Sequence, residues 1–158
     1  MGKEIIYEGC SEEYLKKLIE TFVKYKECNF GVQVEDSLIE LYHLVKLIVE
    51  KDTDEIKVRS HIAHFEHENI SFYNEKLNTA EILAQGNVRG VITAGDQKII
   101  NEALNAGVPL ILIPFTFEEN INTKFAVNIK VGIYVDHTKF IQKFPLAVKK
   151  MLKLVIIF

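Results

Sequence analysis

The chain alternates short apolar runs with longer stretches in which apolar residues recur every three or four positions, the signatures of strands and of half-buried helices. Ile5-Ile6-Tyr7 predicts a buried strand ahead of Gly9. Ser11 with Glu12 and Glu13 supplies an N-cap hydroxyl and first-turn acids, and Leu15, Leu18, Ile19, Phe22 and Val23 then share one helical face. Residues 30–34 predict the next strand. Asp36 is placed to cap a helix carrying Leu38, Leu41, Tyr42, Val45, Ile48 and Val49, which Asp52-Thr53-Asp54 ends. Residues 56–59 and 70–73 predict two more strands, and residues 60–68 between them hold three histidines without a clear period. Asn78 or Thr79 caps a short helix that stops near Gly86.

The second half is more regular. Residues 88–93 predict a strand, Ala94-Gly95-Asp96 a turn, and Ile99, Ile100, Ala103 and Leu104 a helix stopped by Gly107, which is free to turn left-handed. Residues 108–113 are apolar throughout and bounded by Pro109 and Pro114, the pattern of a central parallel strand covered on both faces. A helix over 118–130 has Ile121, Phe125 and Ile129 in register, residues 131–135 form a strand, and a last helix carries Phe140, Ile141, Phe144, Val148 and Leu152 with a kink at Pro145. This alternation predicts an α/β fold: a three-layer, Rossmann-like domain with a mostly parallel sheet between helices. Its 158 residues suit a single domain over 1–158.

Composition narrows the function classes. Hydrophobic residues at 48% and charged residues at 26% belong to a globular protein, and a net charge of -3 offers no footprint for nucleic acid. Two cysteines, Cys10 and Cys28, do not make a disulfide framework. The start of the chain lacks the apolar run of a signal peptide, and Ile6 stands where a myristoylation motif has Ser or Thr. The expected location is cytoplasmic, peripheral to a membrane only through a partner. His61, His64 and His67 recur every third residue, which does not converge them on a helix or a strand, so no metal is expected. His43 and His137 stand alone, and no nucleophile–base arrangement is readable, so catalytic residues stay unassigned.

The chemistry concentrates at residues 93–96. In open α/β sheets ligands bind at the carboxyl ends of strands, and a helix start offers unpaired N–H groups and a positive dipole end suited to phosphate. Gly95 allows close backbone approach. Glu102, about two turns down the helix, has a carboxylate able to accept from two ribose hydroxyls. Each feature has a plainer alternative: a tight turn at Gly95, a solvated acid at Glu102, and dipole-matching acids at Glu118 and Glu119.

The segment ITAGDQKIINEALNAGVPLILIPFTFEENINTKFAVNIKVGI, residues 92–133, resembles the donor-site signature of two-domain (GT-B) glycosyltransferases, in particular UDP-N-acetylglucosamine transferases and small subunits that carry only the C-terminal half. Thr93, Gly95, Glu102-Ala103-Leu104, Gly107, Pro109, Pro114, Glu118, Asn122 and Gly132 carry the likeness. The resemblance implies a nucleotide-sugar site without a cofactor or metal: Thr93, Gly95 and Asp96 at the diphosphate, Glu102 at the ribose, Glu118 and Glu119 toward the sugar, and Asn122 among the binding residues. It also implies a partner, either an N-terminal half, a membrane-anchored chain or a second copy, because a GT-B site lies between two domains. The five apolar residues Leu154-Val155-Ile156-Ile157-Phe158 either offer such a partner a docking end or mark a cut within a longer chain. Four positions depart from the pattern: Ala94 for His, Asp96 for the second Gly, Ile99 for Thr or Ser, and Glu119 for Gln. They leave open a second reading, a non-catalytic GT-B-like module that has lost phosphate binding and acts through protein–protein interaction.

Overall fold

The computed structural model describes residues 12–33, 66–67, 69–73 and 76–156. The strands predicted at 5–7 and 56–59, the helix at 38–49, Cys10, His43, His61, His64 and residues 157–158 lie outside the described residues. The chain divides into two compact units, Cys10–Leu77 and Met1–Gly9 with Asn78–Phe158.

In the first unit, α1 (Glu12–Phe22) buries Leu18, Ile19 and Phe22, the stripe that its apolar spacing predicts. Three strands follow: β1 (Phe30–Gln33), β2 (Glu66–His67) and β3 (Ile70–Tyr73). Their order is β1-β3-β2, with β1 parallel and β2 antiparallel to β3. Phe22 stacks on Phe30 with ring centroids 4.0 Å apart. Buried Asn69 donates its side-chain amide to the carbonyls of Phe22 and Tyr25 at 2.9 and 3.0 Å. The same two carbonyls accept from the Tyr25 and Cys28 N–H groups, so Asn69 adds a second bond to each and ties the end of α1 to the start of β3.

The second unit starts with α2 (Thr79–Ala84), for which Asn78 is the N-cap, accepting from the Glu81 N–H. Its sheet is wholly parallel, in the order β4-β5-β6: β4 (Val91–Thr93), β5 (Leu110–Leu112) and β6 (Gly132–Tyr134). The crossovers are α3 (Gln97–Ala106) and α4 (Phe117–Asn128). All three residues of central β5 are buried, as its unbroken apolar run requires. Leu110 and Leu112 pack with Ile100, Ala103, Leu83, Val108 and Ala126. A short 3-10 turn (His137–Lys139) leads into α5 (Phe140–Ile156), which continues past Pro145 and buries Phe140, Phe144, Ala147, Val148 and Met151. Among the described residues no helix is long and apolar enough to cross a membrane.

One register expectation is reversed. Ile121, Phe125 and Ile129 are 52%, 52% and 45% exposed, and Phe117 one turn earlier is 82% exposed. The inward face of α4 is Glu119, Thr123 and Ala126. The cause is closeness: a Cβ on Gly132 of β6 would sit 3.3 Å from the Ala126 Cβ, and one on Gly95 would sit 3.1 Å from the Thr123 Oγ1. Where the helix sits that near Gly95 and Gly132 it turns the small Thr123 and Ala126 inward, whatever its apolar period.

Helix α3 ends as its sequence predicts. Gly107 is left-handed (φ 69°), with the Val108 N–H on the Ala103 carbonyl at 2.9 Å and the Gly107 N–H on the Leu104 carbonyl at 3.0 Å, the paired bonds of a Schellman stop. Among the described residues, no atom beyond its chain neighbours lies within 4 Å of a Cβ added there. Gly107→Ala therefore carries left-handed backbone strain alone, and a loss of about 1 kcal/mol is expected in a urea unfolding curve.

Candidate functional site

The parallel sheet β4-β5-β6 puts three carboxyl ends on one side: the turn at 93–96, the loop at 113–116 and the loop at 135–137. Ligands of open α/β sheets collect on this side.

The turn after β4 is pinned from several directions. Thr93 is buried, and its hydroxyl accepts from the Gly95 N–H at 3.3 Å. Asn122 of α4 donates its side-chain amide to the Gly95 carbonyl at 3.0 Å. Gly95 has φ +121°, and a Cβ there would stand 2.9 Å from the Glu119 carbonyl oxygen. Both the backbone angle and the space demand glycine. Ala94 beside it is fully buried, so the position where the related pattern has His holds only a methyl group.

Asp96 caps α3. Its carboxylate accepts from the Ile99 N–H at 2.9 Å, and its carbonyl accepts from the Ile100 N–H at 2.9 Å. A negative group thus already sits at the positive end of the helix dipole. Glu102 is half-buried on the same helix and pairs with Lys98 one turn earlier at 3.8 Å. Lys98 is largely exposed, so the pair contributes little to stability.

The loop after β5 is organised by Glu119. The Oε2 of Glu119 accepts from the N–H groups of Phe115 and Thr116, both at 2.9 Å, while the Thr116 hydroxyl accepts from the Glu119 N–H at 3.2 Å. This is a capping box. The Glu119 side chain is buried, whereas Glu118 beside it is exposed. After β6, His137 approaches the Pro114 carbonyl with Nδ1 at 3.0 Å, and its ring tilts against Phe115 with centroids 4.8 Å apart. Since a carbonyl only accepts, Nδ1 carries the hydrogen. Asp136 accepts from the Thr138 hydroxyl and N–H at 2.7 and 3.0 Å, and these bonds hold its carboxyl below the usual range. Partial burial, with Asp136 nearby, pushes the Tyr134 phenol up.

The structure therefore gathers Thr93, Gly95, Asp96, Glu119 and Asn122 around one turn. Glu102 lies further along α3 and Glu118 faces solvent. Sequence reasoning missed Thr116, Thr123 and the seat of His137. Thr116-x-x-Glu119 is a capping-box pattern and was there to be read. Thr123 and His137 have no such local signal, because each acts against a partner distant in sequence. Among the described residues no three His, Cys, Asp or Glu side chains gather as a metal site.

No protein-family model matches the chain, and no curated protein matches it. Among solved structures it is similar to the glycotransferase of kitacinnamycin, with a TM-score of 0.62 at 16% identity over 87% of this chain. The chain spans 30% of the length of that protein. The fold is therefore glycosyltransferase-like: a Rossmann-like α/β unit of the kind that makes one half of a GT-B enzyme.

Two stability outcomes follow from this geometry. Gly95→Ala should cost roughly 2–4 kcal/mol, well beyond Gly107→Ala, because a steric clash with backbone adds to the strained angle. Equal urea midpoints for the two variants would contradict the close approach of α4. Glu119→Ala should cost roughly 2–3 kcal/mol by stripping two backbone N–H groups of a charged acceptor. Glu119→Gln, which keeps an acceptor oxygen, should cost under about 1 kcal/mol.

Proposed function

We propose that this chain is the donor-binding part of a glycosyltransferase, taking a UDP-sugar, UDP-N-acetylglucosamine first among them, and needing a second domain or chain for transfer. The observation that carries the reading is the glycine turn at the carboxyl end of β4, which opens a ten-residue helix and is held from behind by α4. Its backbone presents N–H groups to a diphosphate, and Thr93 fixes it from within. Glu102 takes the ribose hydroxyls, exchanging the weak Lys98 pair for two hydrogen bonds. Glu118, exposed at the start of α4, is free to meet sugar hydroxyls. Glu119 and Asn122 act from behind the site. In transfer, the amides and the helix dipole stabilise charge on the departing diphosphate, while the base and acceptor come from the partner. The likeness to a glycotransferase supports this at the level of fold.

The second reading is a module that binds protein instead of nucleotide. Two observations favour it: the Asp96 carboxylate occupies the helix start, and Phe117, Ile121, Phe125 and Ile129 form an exposed apolar ridge at four-residue spacing. Like charges about 4 Å apart repel by on the order of 1–4 kcal/mol between bulk water and a protein surface, so Asp96 weakens any diphosphate bound there.

Isothermal titration of the chain with UDP and UDP-N-acetylglucosamine separates the two. The donor reading expects binding that falls roughly tenfold in Glu102→Ala, the loss of about one charged hydrogen bond. It also expects binding to tighten by about tenfold in Asp96→Gly, as a repulsion near the middle of that range is removed. Folded protein that binds neither ligand, before and after Asp96→Gly, supports the protein-binding module.

A further inference from the structure

We propose that Asn122 is a positioning residue that sets the direction of the amides at the glycine turn and does not itself touch the ligand. The inference rests on the donor-binding reading for its consequence and on the hydrogen bonds alone for its geometry.

The Gly95 carbonyl and the Asp96 N–H belong to one planar trans peptide and point in opposite directions. Asn122 Nδ2 holds that carbonyl at 3.0 Å from the α4 side. The Asp96 N–H is thereby turned away from α4. The peptide on the other side of Gly95 is fixed too, because the Gly95 N–H is committed to the Thr93 hydroxyl at 3.3 Å. Glycine would otherwise be the residue least able to hold an orientation, since it has the widest choice of backbone angles.

Further along the helix start, the Ile99 N–H is taken by the Asp96 carboxylate. The Asp96, Gln97 and Lys98 amides precede the first intrahelical bond, which the Ile100 N–H makes to the Asp96 carbonyl. They are the backbone donors that a diphosphate would meet, and the first of them is aimed through Asn122. Thr123 does not share the work. Its hydroxyl is buried beside Gly95 and has no hydrogen-bond partner among the described residues. Among those residues, Asn122 is the side chain that answers the Gly95 carbonyl.

Asn122→Ala in the whole chain tests this with two readouts. Amide hydrogen exchange at Gly95, whose N–H is held by the Thr93 hydroxyl, should quicken about fivefold as the turn loosens, the worth of one hydrogen bond, with Leu110, Ile111 and Leu112 unchanged. Unchanged exchange at the turn, or equal acceleration in β5, overturns the positioning role. Affinity for UDP should fall about fivefold while affinity for uridine, which has no phosphate, stays as it was. A general loss of structure would weaken both ligands alike, and that result also overturns the proposal. Wild-type protein that binds neither ligand refutes the donor reading, and the exchange rates then still decide whether Asn122 holds the turn.

Discussion

A peptide withdrawn from water must have its N–H and C=O answered by other groups, and at Gly95 both are answered by side chains, from Thr93 and Asn122. Much else in this unit depends on that arrangement. To reach the carbonyl, α4 has to come down on the turn so closely that the Glu119 carbonyl would clash with any Cβ at position 95. That distance favours small side chains where α4 faces the two glycines, so Thr123 and Ala126 are buried there while Ile121 and Phe125 stay exposed. The capping box of Thr116 and Glu119 then fixes where α4 begins, and with it the height of Asn122 over the turn.

The fold was legible in the sequence wherever structure is decided locally. The continuous apolar run of β5 led directly to a central parallel strand, Gly107 to a left-handed stop, and the Asn78-Thr79 pair to an N-cap at Asn78. Periodicity failed on α4, because an apolar stripe marks the inward face only when burial of that stripe decides the packing. Here a polar contact and two glycines decide it. The candidate site was legible as a turn with acids around it. The division of labour among those acids was not. Glu118 and Glu119 are adjacent in sequence, yet a helical step of one residue separates an exposed carboxylate from one whose oxygen serves two backbone N–H groups.

The same step explains why Glu at 119 departs so little from Gln in structural terms. The capping role asks for an acceptor oxygen on a side chain of that length, which both residues supply. The change at 96 is of another kind. Aspartate caps a helix through its charge as well as its shape, and that charge stands at the dipole end that would otherwise favour phosphate. One side chain therefore serves stability of the free chain and opposes an anionic ligand at the same place.

That opposition bears on how a donor site of this design would work. A carboxylate at a helix start need not stay there: its bond to the Ile99 N–H is a single contact at a part-buried position, worth on the order of 1 kcal/mol. A diphosphate brings more charge and more acceptors to the same amides, so it can displace the carboxylate if the side chain swings out to water. The turn beneath must then keep its shape without the cap. Its two remaining anchors, Thr93 and Asn122, bind Gly95 and do not involve the Asp96 side chain at all. The glycine turn is thus held independently of the Asp96 carboxylate, so under the donor-binding proposal one backbone would serve both the capped and the ligand-bound states.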